Sequence, residues 1–368
     1  LSTATKPKRV VCLRYEDLLN KTKSLSAEVV WYVVSGHVLF VQIEEAFGND
    51  GLGLLTVSGV PEYPKHRAAL LPLAQRLAQL PPKQLDTMVD AKSIYQFGWS
   101  HGKEKFKGVP DVAKGSYYAN PQYDYPTHDP ELIKAHPANC LPNIWPPAGV
   151  LPQLPVAFKA LGRLMIEVGL LVAQHTDQFT KTRRSYSSHH FVVARLQSSV
   201  AALLSHRAGS NQGLSCRSRM VSQVTGATPD MDNWCGWHTD HGSLTGNLIV
   251  VSRTIAGLTS AMYLKWGDGS PVDNPDPECG LYVKDRAQHI HKINIPADHI
   301  AFQIGDSSQI HSGGLLKATP HYVRSPNPAV MSGISRYSCC VTTGRNTFAV
   351  FMQPEWSEPM NPPSSLGA

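Results

Sequence analysis

The stretch WCGWHTDHGSLTG, residues 234 to 246, sets His238 and Asp240 two positions apart. Side chains two apart on a β-strand share a face, so this imidazole and this carboxylate can converge while Thr239 points away. Such a pair supplies two of the three protein ligands of the facial triad that holds non-haem Fe(II) with open coordination positions. His-x-Asp is a short pattern in a chain with 16 histidines, so the third ligand decides. Candidates are His289, His291, His299, His311 and His321, all in the C-terminal part. His321, in LLKATPHYVRSPNP, is preferred because it opens a short strand. It also lies far enough beyond the pair for a long return connection to bring it beside His238 in a double-stranded β-helix. No H-E-x-x-H motif accompanies these histidines, which argues against a zinc hydrolase.

The elements that must position these groups are legible around them. KRVVCLRYEDLL (8 to 19) and GLGLLTVSGVP (51 to 61) read as strands, and VQIEEAFGNDG between them as a helix stopped by Gly48 or Gly51. Helical spacing recurs from Lys65 to Leu80, where Pro72 is expected to kink or divide the helix. In PVAFKALGRLMIEVGLLVAQHTD, residues Leu161, Leu164, Met165, Val168, Leu171 and Val172 make one apolar stripe, with Lys159, Arg163 and Glu167 off it. Residues 95 to 150 read as a long aromatic, Gly- and Pro-rich loop. From Leu281 onward LYVKD, HKINIP, HIAFQIGD, HYVR and NTFAVFMQP alternate with turns, the signature of a jelly-roll barrel or sandwich.

Composition bounds the remaining classes. The chain has 368 residues and a formal charge of +6, from 34 basic against 28 acidic residues, a mild excess that does not require a nucleic-acid partner. Lys181, Arg183, Arg184, Arg195, Arg207, Arg217 and Arg219 lie in a segment without Asp or Glu between Gln178 and Pro229, read as a solvated basic insertion. Seven cysteines without C-x-x-C spacing fit neither a disulfide framework nor a thiolate zinc site, and suit a reducing compartment. A cytoplasmic monomer is expected, or an organellar one if a leader preceded Leu1, and no apolar run of about eighteen residues reads as a membrane span.

The chain therefore reads as mixed α+β: a double-stranded β-helix (jelly-roll) core with N-terminal helical and strand additions. Residues 1–179 form the N-terminal region with its aromatic loop segment, 180–356 the core with the basic Ser/Arg-rich insertion, and 357–368 a disordered tail.

Taken together, HTDHGSLTG, LYVKDRAQHIHKINIPADHIAFQIGD, IHSGGLLKATPHYVR and RNTFAVFMQPEW resemble the C-terminal half of the 2-oxoglutarate and Fe(II)-dependent oxygenases of the isopenicillin-N-synthase-like superfamily. IEEAFGNDGLGLLTVSGVP is similar to their N-terminal segment. FGWSHGKEKF, KGSYYANPQYD, NIWP and WCGWHTDHGSLTG resemble a plant and algal subgroup. The resemblance implies that His238, Asp240 and His321 bind Fe(II). It also implies that an arginine followed two residues later by Ser or Thr grips the distal carboxylate of 2-oxoglutarate. Two pairs compete: Arg345 and Thr347, favoured because their strand runs uninterrupted to a proline, and Arg336 and Ser338, nearer His321. The activity implied is oxidation of a small organic substrate coupled to decarboxylation of 2-oxoglutarate, possible helpers including ascorbate. Alternatives are an iron oxidase that does not use 2-oxoglutarate, and a catalytically degenerate metal-binding jelly roll. Phe97, Trp99, Tyr117 and Tyr118 either wall the substrate pocket or fill the core, and Trp237 either packs against the site or fills the barrel. The chain departs from the family pattern at 183–220, at NLIVVSRTIAG (247 to 257) and at YSCCVTTGR (337 to 345).

Overall fold

The computed structural model describes residues 8–19, 29–103, 105–106, 109–110, 114–183, 198–208, 233–240, 255–266, 268–326 and 343–353. In chain order the first part comprises β1 (Val11–Arg14), α1 (Tyr15–Leu19), α2 (Val29–Phe47), β2 (Leu54–Ser58), α3 (Tyr63–Ala78) and α4 (Pro82–Asp86). The aromatic segment follows as β3 (Gly98–His101), β4 (Lys105–Phe106), β5 (Val109–Pro110), β6 (Lys114–Ala119), α5 (Pro130–Ala135) and α6 (Pro137–Cys140). Then come α7 (Leu154–Arg183), β7 (Ser198–Ala208), β8 (Asn233–His238), β9 (Ile255–Thr259), β10 (Met262–Lys265) and β11 (Pro271–Val272). The chain closes with β12 (Gly280–Lys284), β13 (Ile290–Ile293), β14 (Ile300–Ile304), α8 (Asp306–His311), β15 (His321–Arg324) and β16 (Thr343–Gln353).

Among the described residues the strands form two main, facing sheets and a separate two-stranded ribbon, β4-β5. The larger runs β1-β2-β14-β9-β16-β7-β6-β3, with β10 on β16 and β11 on β10; the smaller runs β13-β12-β15-β8. From β7 onward the chain crosses repeatedly between the two: β7 in the large sheet, β8 in the small, β9 in the large, β12 and β13 in the small, β14 in the large, β15 in the small and β16 in the large. That alternation is the double-stranded β-helix, with helices and extra strands added from the N-terminal part. Strands from both sides of residue 179 share the large sheet.

The two faces of the large sheet separate by the period of two. On β16, Phe348, Val350 and Met352 pack into the main core with α7 residues Phe158, Leu161, Met165, Val168 and Val172. Ala349 and Phe351 point the other way, meeting Tyr118, Ala202 and Ala256. Four of the six residues of the α7 stripe are fully buried; burying each large one contributes about 1.5–3 kcal/mol.

Three expectations change. The helix from Tyr63 is not divided at Pro72, which lies inside α3. The segment read as a loop contributes β3 and β6, which pair Trp99 with Tyr117 and extend the large sheet. Aromatic and Gly residues hid the alternation there: a Cβ on Gly115 would lie 2.1 Å from Trp99 Cη2, so the glycine makes room for the indole. Further on, Asp124 Oδ1 accepts from Asn143 Nδ2 and from Trp145 Nε1 at 3.0 and 2.8 Å, and Asp124 Oδ2 pairs with Lys159 of α7. Burial pushes this carboxyl up, but those donors outweigh it and hold it below its ordinary value. The NPQYD and NIWP motifs are thus the two halves of a loop anchor. Finally, Ile255, Ala256 and Gly257, within one of the departures from the family pattern, form the start of β9 in the centre of the large sheet. The basic residues Arg184, Arg195, Arg217 and Arg219 and the tail 357–368 lie outside the described residues.

Candidate metal centre

The antiparallel register of β8 and β15 sets His238 directly opposite His321. Their rings lie 4.2 Å apart between centroids. Asp240 follows just past the end of β8, and its Oδ1 is 3.6 Å from His321 Nε2. One ligand atom from each of His238, Asp240 and His321 falls within 4.8 Å of the other two. Asp240 and His321 are buried, 4 % and 6 % exposed. His238 Nδ1 lies 2.8 Å from the Gly236 carbonyl, so Nε2 is the nitrogen it offers a metal. His289, His291, His299 and His311 do not join this group.

Two clamps hold this group. Thr239, pointing away from the group as strand alternation requires, donates from Oγ1 to Asp306 Oδ2 at 2.8 Å, which ties the His-Thr-Asp turn to the first residue of α8. The segment entering His321 is pinned at four points. Lys317 N donates to Phe47 O, Ala318 N to Gln309 Oε1, Arg286 Nη2 to Ala318 O, and Lys284 N to Pro320 O, all at 2.8 to 2.9 Å. Beneath it Gly53, at φ +70°, leaves space that a Cβ would close to 2.1 Å from Thr319 Oγ1. None of these partners carries a sequence signature of its own; the fit of Gly53, the residue just before β2, under Thr319 is visible only in three dimensions.

Which face of the large sheet meets the group follows from one contact. Gln303 Nε2 lies 2.7 Å from His321 Nδ1. Gln303 is the register partner of Ala256, and Ala256 of Phe351, and directly opposed residues share a face. Arg345 and Thr347 have the parity of Phe351, so they lie on this same inner face, 7 % and 8 % exposed. Tyr263, the register partner of Arg345 on β10, places its hydroxyl 3.3 Å from Cys279 Sγ. Burial pushes the Tyr263 phenol well up, against the pull of the Arg345 guanidinium. Arg336 and Ser338 lie outside the described residues.

The aromatic candidates divide. Tyr118 is on the inner face, against Ala202, Ala256, Ala349 and Phe351. Trp99 and Tyr117 pack instead into the helix-side core, and Phe97 is fully buried just before β3. Trp237 alternates with His238 and so takes the outer face of the small sheet, 4.3 Å from the Tyr322 ring, with Lys284 Nζ 4.6 Å above it.

The donor set fits a divalent first-row metal. Two neutral imidazoles and one carboxylate suit Fe(II), and three protein ligands leave positions open. Ligand atoms held at about 2.0–2.2 Å from one ion stand roughly 3 to 4 Å apart, close to the Asp240–His321 spacing of 3.6 Å.

The chain has the double-stranded β-helix fold, which it shares with solved 2-oxoglutarate and Fe(II)-dependent oxygenases. Solved structures with this fold agree. A full-length Neurospora crassa protein in complex with alpha-KG (2-oxoglutarate) and 5-formyluracil matches at TM-score 0.61 and 13 % identity over 98 % of this chain and 89 % of its own. A 2OG-Fe(II) oxygenase family protein of Caulobacter crescentus matches at TM-score 0.61 and 17 % identity over 98 % and 95 %. The dioxygenase for auxin oxidation 1 of Arabidopsis thaliana, with 2-oxoglutarate, matches at TM-score 0.56 and 12 % identity over 98 % of both chains. No protein-family model and no curated protein sequence matches the chain. Among the described residues no helix is long and apolar enough to cross a membrane.

Proposed function

We propose that the chain is an Fe(II)- and 2-oxoglutarate-dependent oxygenase that oxidises a C–H bond of a small organic molecule. The observation that carries this reading is the convergence of His238, Asp240 and His321 within 4.8 Å, facing a sheet whose inner side bears Arg345 and Thr347. His238, Asp240 and His321 would hold the metal through two imidazole nitrogens and a carboxylate oxygen. When bound, Fe(II) supplies the redox chemistry by which dioxygen and 2-oxoglutarate are activated together.

The remaining work belongs to the chain. Arg345 presents a guanidinium fork to the distal carboxylate of 2-oxoglutarate, and Thr347, two residues on, sets a hydroxyl on the same face. Burial strengthens that charge-assisted contact by excluding water. Tyr263 holds the guanidinium from the neighbouring strand. Tyr118 and Phe351 offer apolar and aromatic surface to the substrate beside them. Trp237, Trp99 and Tyr117 serve packing.

Anaerobic titration of the chain with Fe(II) and 2-oxoglutarate, followed by admission of air and measurement of succinate, tests the reading. Succinate formed in proportion to both additions supports it. Iron binding without 2-oxoglutarate-dependent succinate would overturn the co-substrate assignment.

A further inference from the structure

Gln303 lies on β14, fully buried, with its amide against the back of His321. Its Nε2 is 2.7 Å from His321 Nδ1 and 3.3 Å from the Thr319 carbonyl, which uses both amide hydrogens. The same carbonyl lies 3.2 Å from Nδ1. Gln303 Oε1, by contrast, has no hydrogen-bond partner among the described residues.

These contacts bear on which ring nitrogen can bind metal. His321 Nε2 faces Asp240 Oδ1 at 3.6 Å, and a metal there needs the Nε2 lone pair, so the ring proton belongs on Nδ1. Two groups stand behind Nδ1, the Thr319 carbonyl and the buried Gln303 amide. The two ends of a carboxamide have nearly the same shape, so the same packing lets Oε1 accept from Nδ1–H.

We infer that Gln303 is a positioning residue for the metal centre, its buried amide accepting from His321 Nδ1–H and so holding the ring with Nε2 toward the ion. This rests on the reading of His238, Asp240 and His321 as ligands. Fixing the tautomer of a ligating imidazole from behind typically changes metal affinity about 10- to 100-fold.

The experiment is Co(II) titration of the metal-free chain at one pH, read by d–d absorption, for the wild type, Gln303→Leu and Gln303→Glu. Leu keeps the bulk and removes both polar ends; Glu keeps only the acceptor. The inference expects Gln303→Leu to weaken Co(II) about 10- to 100-fold and Gln303→Glu to stay within about threefold of wild type. It also expects the imidazole nitrogens of His321, followed by ¹⁵N NMR in the wild type, to show the ring proton held on Nδ1 before metal is added. Wild-type Co(II) affinity in a folded Gln303→Leu overturns it, as does a ring proton on Nε2 in the metal-free wild type, a measurement that does not need the Leu variant to fold. A wild-type chain that binds no Co(II) instead overturns the ligand reading itself.

Discussion

His238 and His321 face each other as register partners across β8 and β15, with ring planes inclined at 52°. Hydrogen bonds between the two strands fix this spacing, so the pair is set by the sheet rather than by loop conformation. Asp240 lies past the strand end, next to Thr239, which is tied to Asp306. A metal present at about a hundred times its Kd stabilises the folded chain by about 2.7 kcal/mol. His238→Ala, Asp240→Ala and His321→Ala should each lose the rise in Tm on adding Co(II) and lose 2-oxoglutarate turnover. A variant that keeps both would remove that residue from the ligand set.

Arg345 is buried on β16, whereas Arg336 lies outside the described residues. Truncating one partner of a buried hydrogen-bonded charge pair costs about 2–5 kcal/mol, at least about 30-fold in affinity. Arg345→Ala should therefore weaken 2-oxoglutarate by at least that factor in a calorimetric titration, with Arg336→Ala nearly unchanged. Equal losses would move the carboxylate seat off β16.

The candidate site residues and the late strands were legible in the sequence because their signals are local. His238 and Asp240 are two apart, Arg345 and Thr347 are two apart, and β12 to β16 alternate visibly. The partners that hold them are not local. Gln303 meets His321 from the other sheet, Asp306 meets Thr239 across 67 positions, and Gly53 lies under Thr319 from the far end of the chain. Local reading also left the aromatics undecided between pocket and core, because it sees neighbourhood and not face. Trp237 is adjacent to His238, and adjacency on a strand means opposite sides, which sends it to Tyr322 and Lys284. The aromatic segment hid two strands because Gly115 and Trp99 fit each other across the ladder, a fit no spacing reveals.

Gly53 offers a test of that hidden support. Gly53 and Gly59 both have left-handed φ, +70° and +71°, but only at Gly53 would a Cβ meet atoms, Thr319 Oγ1 at 2.1 Å and Lys317 O at 2.8 Å. Both Ala variants share the backbone penalty of about 1–2 kcal/mol; Gly53→Ala adds about 1–3 kcal/mol for overpacking. Because the 317–320 segment leads into His321, Gly53→Ala should also weaken Co(II), and Gly59→Ala should not. Matching denaturation midpoints and matching Co(II) affinities for the two variants would show that the segment is not held from below.

Asp285 gives a pH dependence whose sign is fixed by its surroundings. The side chain is 1 % exposed, and its Oδ2 lies 3.0 Å from His291 Nε2, 3.6 Å from His289 Nδ1 and 3.4 Å from Lys8 Nζ. The backbone N–H of His289 donates to Oδ1 at 2.9 Å. Burial pushes the carboxyl up, but the hydrogen bonds from His291 and the His289 backbone, with the Lys8 charge, outweigh it and hold the pKa at about 2. An unfolded aspartate titrates near about 3.9. The folded chain therefore binds this proton less readily than the unfolded one. The stability it contributes, on the order of 2–3 kcal/mol, is fully present above about pH 5 and lost as pH falls through about 2. Asp285→Asn removes this titration, so in urea unfolding the wild type should exceed the variant by a constant margin above about pH 5, and most of that margin should be gone by about pH 2. A margin that stays flat across that whole range would mean that the contacts of Asp285 act through its shape and neutral hydrogen bonds rather than its charge.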